Sequence, residues 1–308
     1  MDIESALVAN GGLATTAELL TMLSRKRLDG LVAAGRLVRV CHGVYALSGQ
    51  DVTGKLAALD RLAAQPIVAC MGTAAALYGF DTENTSRLHI LDPGVRMRPS
   101  ANLMVHQRIG APLRRVEGRL ATAPSWTVIE VARTLRRPRA LATMDAALHI
   151  SACTTGELSA AIRDQKGRRG IVKVRELICH ADGRAESPME SEARLVFIDH
   201  RLPMPELQYE IVDHYGKLWR VDFAWPDAML VAEYDSLEWH GGRDALLHDR
   251  QKIARLQDCG WAIIPMTVDD IRHDPIGLVD RINAQLASRR KIPQNRSESG
   301  DFASARHG

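Results

Sequence analysis

Apolar positions in the first 48 residues recur at helical spacing and then at strand spacing. Asp2–Ala9 reads as a short helix that ends at Gly11-Gly12. Thr15 followed by Glu18 has capping-box spacing and starts a second helix. Ser24 caps a third, in which Leu28, Leu31 and Val32 share a face and Gly35 ends the run. The stretch RLVRVCHGVYAL alternates on either side of His42-Gly43, which predicts a hairpin.

Residues 51–183 read as a mixed α/β region rich in Ala and Arg. The polar run HADGRAES at 180–187 is a joint between domains. From Ser187-Pro188 onward the pattern predicts helix, strand, strand, strand, helix, strand, helix. Met189, Ala193, Val196 and Phe197 line one face of the first helix. Leu207–Val212, Leu218–Trp225 and Met229–Asp235 are the three strands, and residues 243–259 the next helix. WAIIPM is the last buried strand, and a final helix lies near 275–288. The tail 289–308 lacks periodicity and is expected to be disordered.

The hairpin across Pro226-Asp227-Ala228 has a readable register. A turn centred between Asp227 and Ala228 sets Trp225 opposite Leu230, Phe223 opposite Ala232 and Asp222 opposite Glu233. Carboxylates so placed lie roughly 5 Å apart and repel. A hard divalent cation reverses that penalty, since Mg²⁺ is commonly held by one or two carboxylates plus waters and phosphate oxygens. A solvated edge is the alternative. The same register puts Arg220 opposite Asp235, a possible cross-strand ion pair.

Charge is unevenly distributed. The net charge of +3 conceals 20 basic against 13 acidic residues over 51–188, and 10 against 18 over 189–288. A basic half suggests a polyanionic partner, with chance distribution on solvated faces as the alternative. Arg114-Arg115, Arg133, Arg136-Arg137, Arg139, Lys166, Arg168 and Arg169 carry much of it. The five scattered cysteines form no C-x-x-C pair, which argues against a zinc ribbon and fits a reducing cytoplasm. His89 and His106 have no partner at metal-ligand spacing and read as structural. Aromatic residues, at 5%, are too few for a platform that stacks single-stranded bases. No apolar run approaches the roughly 18 residues of a membrane span, and the acidic N-terminus is unlike an export signal.

Helix, helix, helix, hairpin is the order of a winged helix-turn-helix. The run GGLATTAELL…SRKRLDGLVAAGRLVRVCHGVYAL resembles the N-terminal domain of AbiEi-type antitoxins. The likeness extends more weakly through MGTAAALYGF, LMVHQR and SWTVIEVARTL. The resemblance implies a duplex-DNA-binding protein with a possible toxin or antitoxin partner. Arg25, Lys26 and Arg27 then open the recognition helix and His42 sits at the wing tip. A protein-binding scaffold with a solvated basic turn is the alternative.

The segment VDFAWPDAMLVAEYDSLEWH…HDRQKIARLQDCGWAIIPMT resembles PD-(D/E)XK nucleases of the branch related to the very-short-patch-repair endonuclease. That implies Mg²⁺ or Mn²⁺ on Asp222 and Glu233, with Glu190 as the upstream acid and His240, Arg250 and Asp235 as accessory residues. Glu190 also sits three residues after Ser187, so a capping box explains it equally. His240 is a general base or a strand-end cap, and Arg250 binds phosphate or pairs with Asp249. The sequence departs from that family in three places. Asp235 replaces the usual lysine, Ser236 the usual glycine and Pro265 the usual arginine. Lys252, one turn from His248, is a candidate replacement for the lysine.

The expected protein is cytoplasmic, α/β and multi-domain. It has a winged helix-turn-helix at 1–50, an α/β middle domain at 51–183 and a PD-(D/E)XK-like α-β-β-β-α-β core at 184–288. It binds DNA and hydrolyses phosphodiester bonds with Mg²⁺. Alternatives are a non-enzymatic regulator or antitoxin-like protein with a degenerate nuclease fold, and an RNA-directed toxin.

Overall fold

The computed structural model describes residues 7, 12–47, 51–80, 87–107, 110–235 and 243–290. Most of the expected Asp2–Ala9 helix, His240 and the tail beyond 290 lie outside them. The chain is mixed α/β with several sheets, in two compact units, Met1–Leu195 and Val196–Gly308.

The first unit opens with β1 (Leu13–Thr15), α1 (Thr16–Met22), α2 (Arg25–Ala33), β2 (Leu37–Cys41) and β3 (Val44–Leu47). The capping box at Thr15 forms as its spacing predicts. The Thr15 hydroxyl accepts from the Glu18 N–H at 3.2 Å, and the Glu18 carboxylate accepts from the Thr15 N–H at 2.7 Å. Ser24 caps α2 by accepting from the Arg27 N–H. The expected hairpin is β2–β3, and β1 adds a third strand that the sequence pattern did not reveal, in the order β1-β3-β2. Leu19 and Leu28 are fully buried and pack with Leu37 and Tyr45.

Next come α3 (Val52–Ala63), α4 (Met71–Tyr78), β4 (Leu88–Leu91), β5 (Leu103–His106), β6 (Leu113–Val116) and β7 (Arg119–Thr122). Val40, Val44 and Ala46 of the first sheet share one core with Leu56, Leu59, Ile90 and Leu103. The helices α5 (Pro124–Ala132), α6 (Arg137–His149), α7 (Thr155–Asp164), α8 (Ile171–Leu177) and α9 (Pro188–Asp199) complete the region. Val128, Leu141, Met144, Leu158 and Val174 form their core.

Several of the prominent arginines are internal ties. Arg136 meets the buried Glu192 at 2.9 Å, and Arg139 approaches the same carboxylate. Arg168 pairs with Glu130 at 3.2 Å and lies over the Trp126 ring. Arg194 pairs with the buried Asp145 and donates to the His180 carbonyl. In each of these pairs a neighbouring acid offsets the arginine charge.

The second unit continues through β8 (Glu206–Val212), β9 (Leu218–Trp225), β10 (Leu230–Tyr234), α10 (Arg243–Asp258), β11 (Ala262–Met266), α11 (Val268–Arg272) and α12 (Pro275–Arg290). All but the short α11 match the elements expected from the pattern. Strand order is β11-β10-β9-β8, antiparallel except for the β10–β11 pair, which α10 connects as a parallel crossover. The expected hairpin register holds: Trp225 faces Leu230 and Phe223 faces Ala232. Asp213 secures the β8–β9 turn by accepting from the N–H groups of Tyr215 and Lys217 and from the Trp219 indole. Val221, Val231, Leu256 and Trp261 form the core, while Phe223 meets Phe197 edge to face at 5.2 Å. Among the described residues no helix is long and apolar enough to cross a membrane.

Candidate functional site

Period-two alternation places Asp222 between the buried Val221 and Phe223, and Glu233 one residue beyond the last position at which β10 pairs with β9. The Asp222 carboxylate reaches across to accept from the Tyr234 N–H at 2.9 Å. Both acids line one cavity of about 280 Å³, together with Asp235, Asp249 and Lys252. Ile253, Ile263 and Pro265 complete its apolar wall.

Among the described lining residues, four carboxylates thus face a single ammonium. Lys252 of α10 forms an ion pair with Glu233. Burial raises the Glu233 pKa above the ordinary carboxylate range. Lys252 opposes that shift, and the charges of Asp222 and Asp249 add to it. Desolvation therefore outweighs the cross-strand repulsion read from the sequence.

This donor set suits a hard divalent cation. Asp222 and Glu233 offer carboxylate oxygens in a cavity with excess negative charge, and one or two such ligands suffice for Mg²⁺ when waters and phosphate fill the remaining positions. Among the described residues no group of three or more His, Cys, Asp or Glu is placed to hold a metal alone.

The other expected site residues are distributed unevenly. Asp235 lines the cavity, and on the other side of β9 the ladder sets Arg220 opposite Glu210 of β8. Arg250 is exposed on α10 and is not among the described lining residues. Asp249, Lys252 and Ile253, at i, i+3 and i+4, share the cavity-facing side, and Arg250 lies about 100° round from Asp249. The Glu190 N–H donates to the Ser187 hydroxyl, one half of the capping alternative, while the Glu190 carboxylate accepts from the Glu186 N–H at 3.0 Å rather than from Ser187. Asp249, which the sequence offers only as a partner for Arg250, lines the cavity. Its i, i+3 spacing from Lys252 was the available signal.

In the first unit, Arg25, Lys26 and Arg27 form the exposed first turn of α2, and His42 is exposed at the β2–β3 turn with Nδ1 2.9 Å from Arg39 Nη2. His89 and His106 partner each other. Their rings stack 5.1 Å apart, with Nδ1 of His89 2.9 Å from Nε2 of His106. Burial lowers both pKa values, that of His89 to about 4, assisted by His106 and Arg87, and that of His106 with help from Arg133. Both rings are therefore neutral in the fold at pH values where an unfolded chain protonates them. Stability from the pair is full above about pH 6.5 and lost as pH falls towards about 4. The melting temperature should drop across that window, and a His89→Leu/His106→Leu variant should show a flatter profile. Equal acid sensitivity in the variant would assign the effect elsewhere.

Residues 67–179 match the family model described as the AbiEi antitoxin C-terminal domain. The match covers the middle region, where the sequence resemblance was weaker, and not the first fifty residues. Two relatives from Mycobacterium tuberculosis are each 61% identical over 264 residues, covering 86% of this chain and 97% of their own length. They are the uncharacterized protein MT2308 of strain CDC 1551 / Oshkosh and the uncharacterized protein Rv2248 of strain ATCC 25618 / H37Rv. The chain belongs to the family of these two mycobacterial proteins and carries within it, over residues 67–179, a segment of the AbiEi antitoxin C-terminal type.

Proposed function

We propose that this protein binds duplex DNA through its first unit and hydrolyses phosphodiester bonds at the acidic cavity of its second. The observation that carries the reading is the ion pair of Lys252 with Glu233 beside Asp222, in one solvent-open cavity. Two acids on neighbouring strands and a lysine supply the charges a PD-(D/E)XK-like site needs, although the lysine comes from a helix. The order of α9, β8, β9, β10, α10 and β11 supports the same scaffold.

Asp222 and Glu233 would hold Mg²⁺ or Mn²⁺, which when bound polarises phosphate oxygens and acidifies water. Lys252 balances negative charge on the pentavalent phosphate. His240, outside the described residues, takes the proton from the attacking water. Glu190 remains the upstream acid of this proposal, and Arg250 a phosphate contact away from the cavity.

The exposed basic turn at Arg25, Lys26 and Arg27 and the following hairpin support a winged-helix mode of DNA binding. The AbiEi-type segment supports a place in a toxin–antitoxin pair.

Incubating the full chain with supercoiled plasmid tests the reading. Nicked or linear product is expected with Mg²⁺ or Mn²⁺ and none with EDTA. Intact plasmid under every condition, with DNA binding retained, would make the protein a non-enzymatic regulator.

A further inference from the structure

Where the first unit meets its polyanion depends on the arginines that no carboxylate faces among the described residues. Arg136, Arg139 and Arg168 are committed to Glu192 and Glu130. A different set lies at the β2–β3 hairpin. Two adjoining cavities of about 320 and 380 Å³ share His42 and Arg98. Arg39 lines the first and Arg96 the second, and no carboxylate lines either among the described residues.

The groove is built rather than incidental. Its outer wall is the 92–102 loop, where Met97 packs against the core and Arg96 and Arg98 on either side are exposed. The Asn102 side chain ties this loop to the hairpin by donating to the Arg39 carbonyl at 2.8 Å. Further bonds restrain the loop. Ser100 and Leu103 exchange backbone bonds, Gly94 N–H donates to the Asp92 carboxylate, and the Gln65 amide donates to the Pro93 carbonyl. The hairpin side is held by Arg39 and His42, 2.9 Å apart.

We propose that Arg39, His42, Arg96 and Arg98 form a clamp for the sugar–phosphate backbone of duplex DNA, extending the footprint of α2. The inference rests on the DNA-binding reading above and names a site for it. Arginine guanidinium groups present the planar donor fork that matches phosphate oxygens. A groove running through two cavities suits a chain of phosphates better than a single anion. No Phe, Tyr or Trp lines it among the described residues, so it lacks the broad aromatic faces of a base-stacking platform. Its contacts would position the duplex without reading sequence.

The test compares the full chain with its R96A/R98A variant on a duplex of arbitrary sequence across a salt series, with R25A/K26A/R27A as a second arm. The slope of log affinity against log salt should fall by about one for each arginine that loses a phosphate. R96K/R98K, which keeps the charge but not the fork, should keep the slope and lose part of the affinity. Melting curves verify that each variant is folded. A wild-type chain that does not bind duplex overturns the DNA reading as a whole. Wild-type binding with affinity and slope unchanged in R96A/R98A overturns the clamp alone. Loss confined to single-stranded RNA, with duplex binding intact, also overturns it.

Discussion

Replacing Lys252 by alanine should slow metal-dependent plasmid nicking by about two to three orders of magnitude, the usual effect of removing one preorganised charge-stabilising donor. The residue is on α10, yet its ammonium meets the Glu233 carboxylate and borders the same cavity as Asp222. It also affects proton competition. Burial already holds the Glu233 pKa above the ordinary range, and Lys252 restrains that rise. Without Lys252 the carboxyl should keep its proton to still higher pH, so residual activity should be displaced towards alkaline pH.

The stability sign follows from the same shift. Stability from this group is full below the unfolded carboxylate pKa and lost as pH rises through the raised folded one, a window that Lys252→Ala extends upward. Asp222→Asn gives an independent arm. An asparagine oxygen can still accept from the Tyr234 N–H, while a carboxylate charge is removed, so cleavage should disappear with the fold retained. Wild-type rates in both variants would defeat the nuclease reading. Pseudo-first-order nicking rates and melting curves are the measurements.

Asp145→Ala should destabilise the first unit by about 3–5 kcal/mol, the cost of stranding a buried charge whose partner is gone. Asp145 and Arg194 are 1% and 3% exposed. Asp145 also accepts from the Asp182 N–H at 2.8 Å, and Arg194 donates to the His180 carbonyl, so the pair joins α6, α9 and the segment between α8 and α9. Against a typical total of about 5–15 kcal/mol, that loss leaves the unit marginal. Replacing both partners, as Asp145→Leu/Arg194→Met, should recover much of it, because no isolated charge remains. Urea unfolding distinguishes the cases. A single-variant loss under about 1 kcal/mol would show that water reaches the guanidinium.

Local signals determined much of this protein by themselves. The Thr15–Glu18 box, the Ser24 cap and the glycine after α2 are exchanges within one turn, so residue type and spacing suffice to state them. The β9–β10 register is equally local. A short turn and period-two alternation set Phe223 against Ala232 and bring Asp222 and Glu233 together. Three-residue β1 and five-residue α11 are too short to show a period, although the Thr267–Asp270 capping box marks the start of α11. The tertiary structure alone decided which charges are available. Arg136 and Arg168 are neutralised by acids 56 and 38 residues away in sequence, and such distant pairings leave no trace in local pattern. The rotation of α10 against the sheet turned Lys252 towards Glu233 and left Arg250 exposed, although both lie on the same polar helix. Arg39 and Asn102 meet across 63 residues to join the two sides of the groove. Side-chain chemistry is written in the sequence, but its convergence depends on long-range packing, because apolar burial sets how elements rotate and which polar groups they bring face to face.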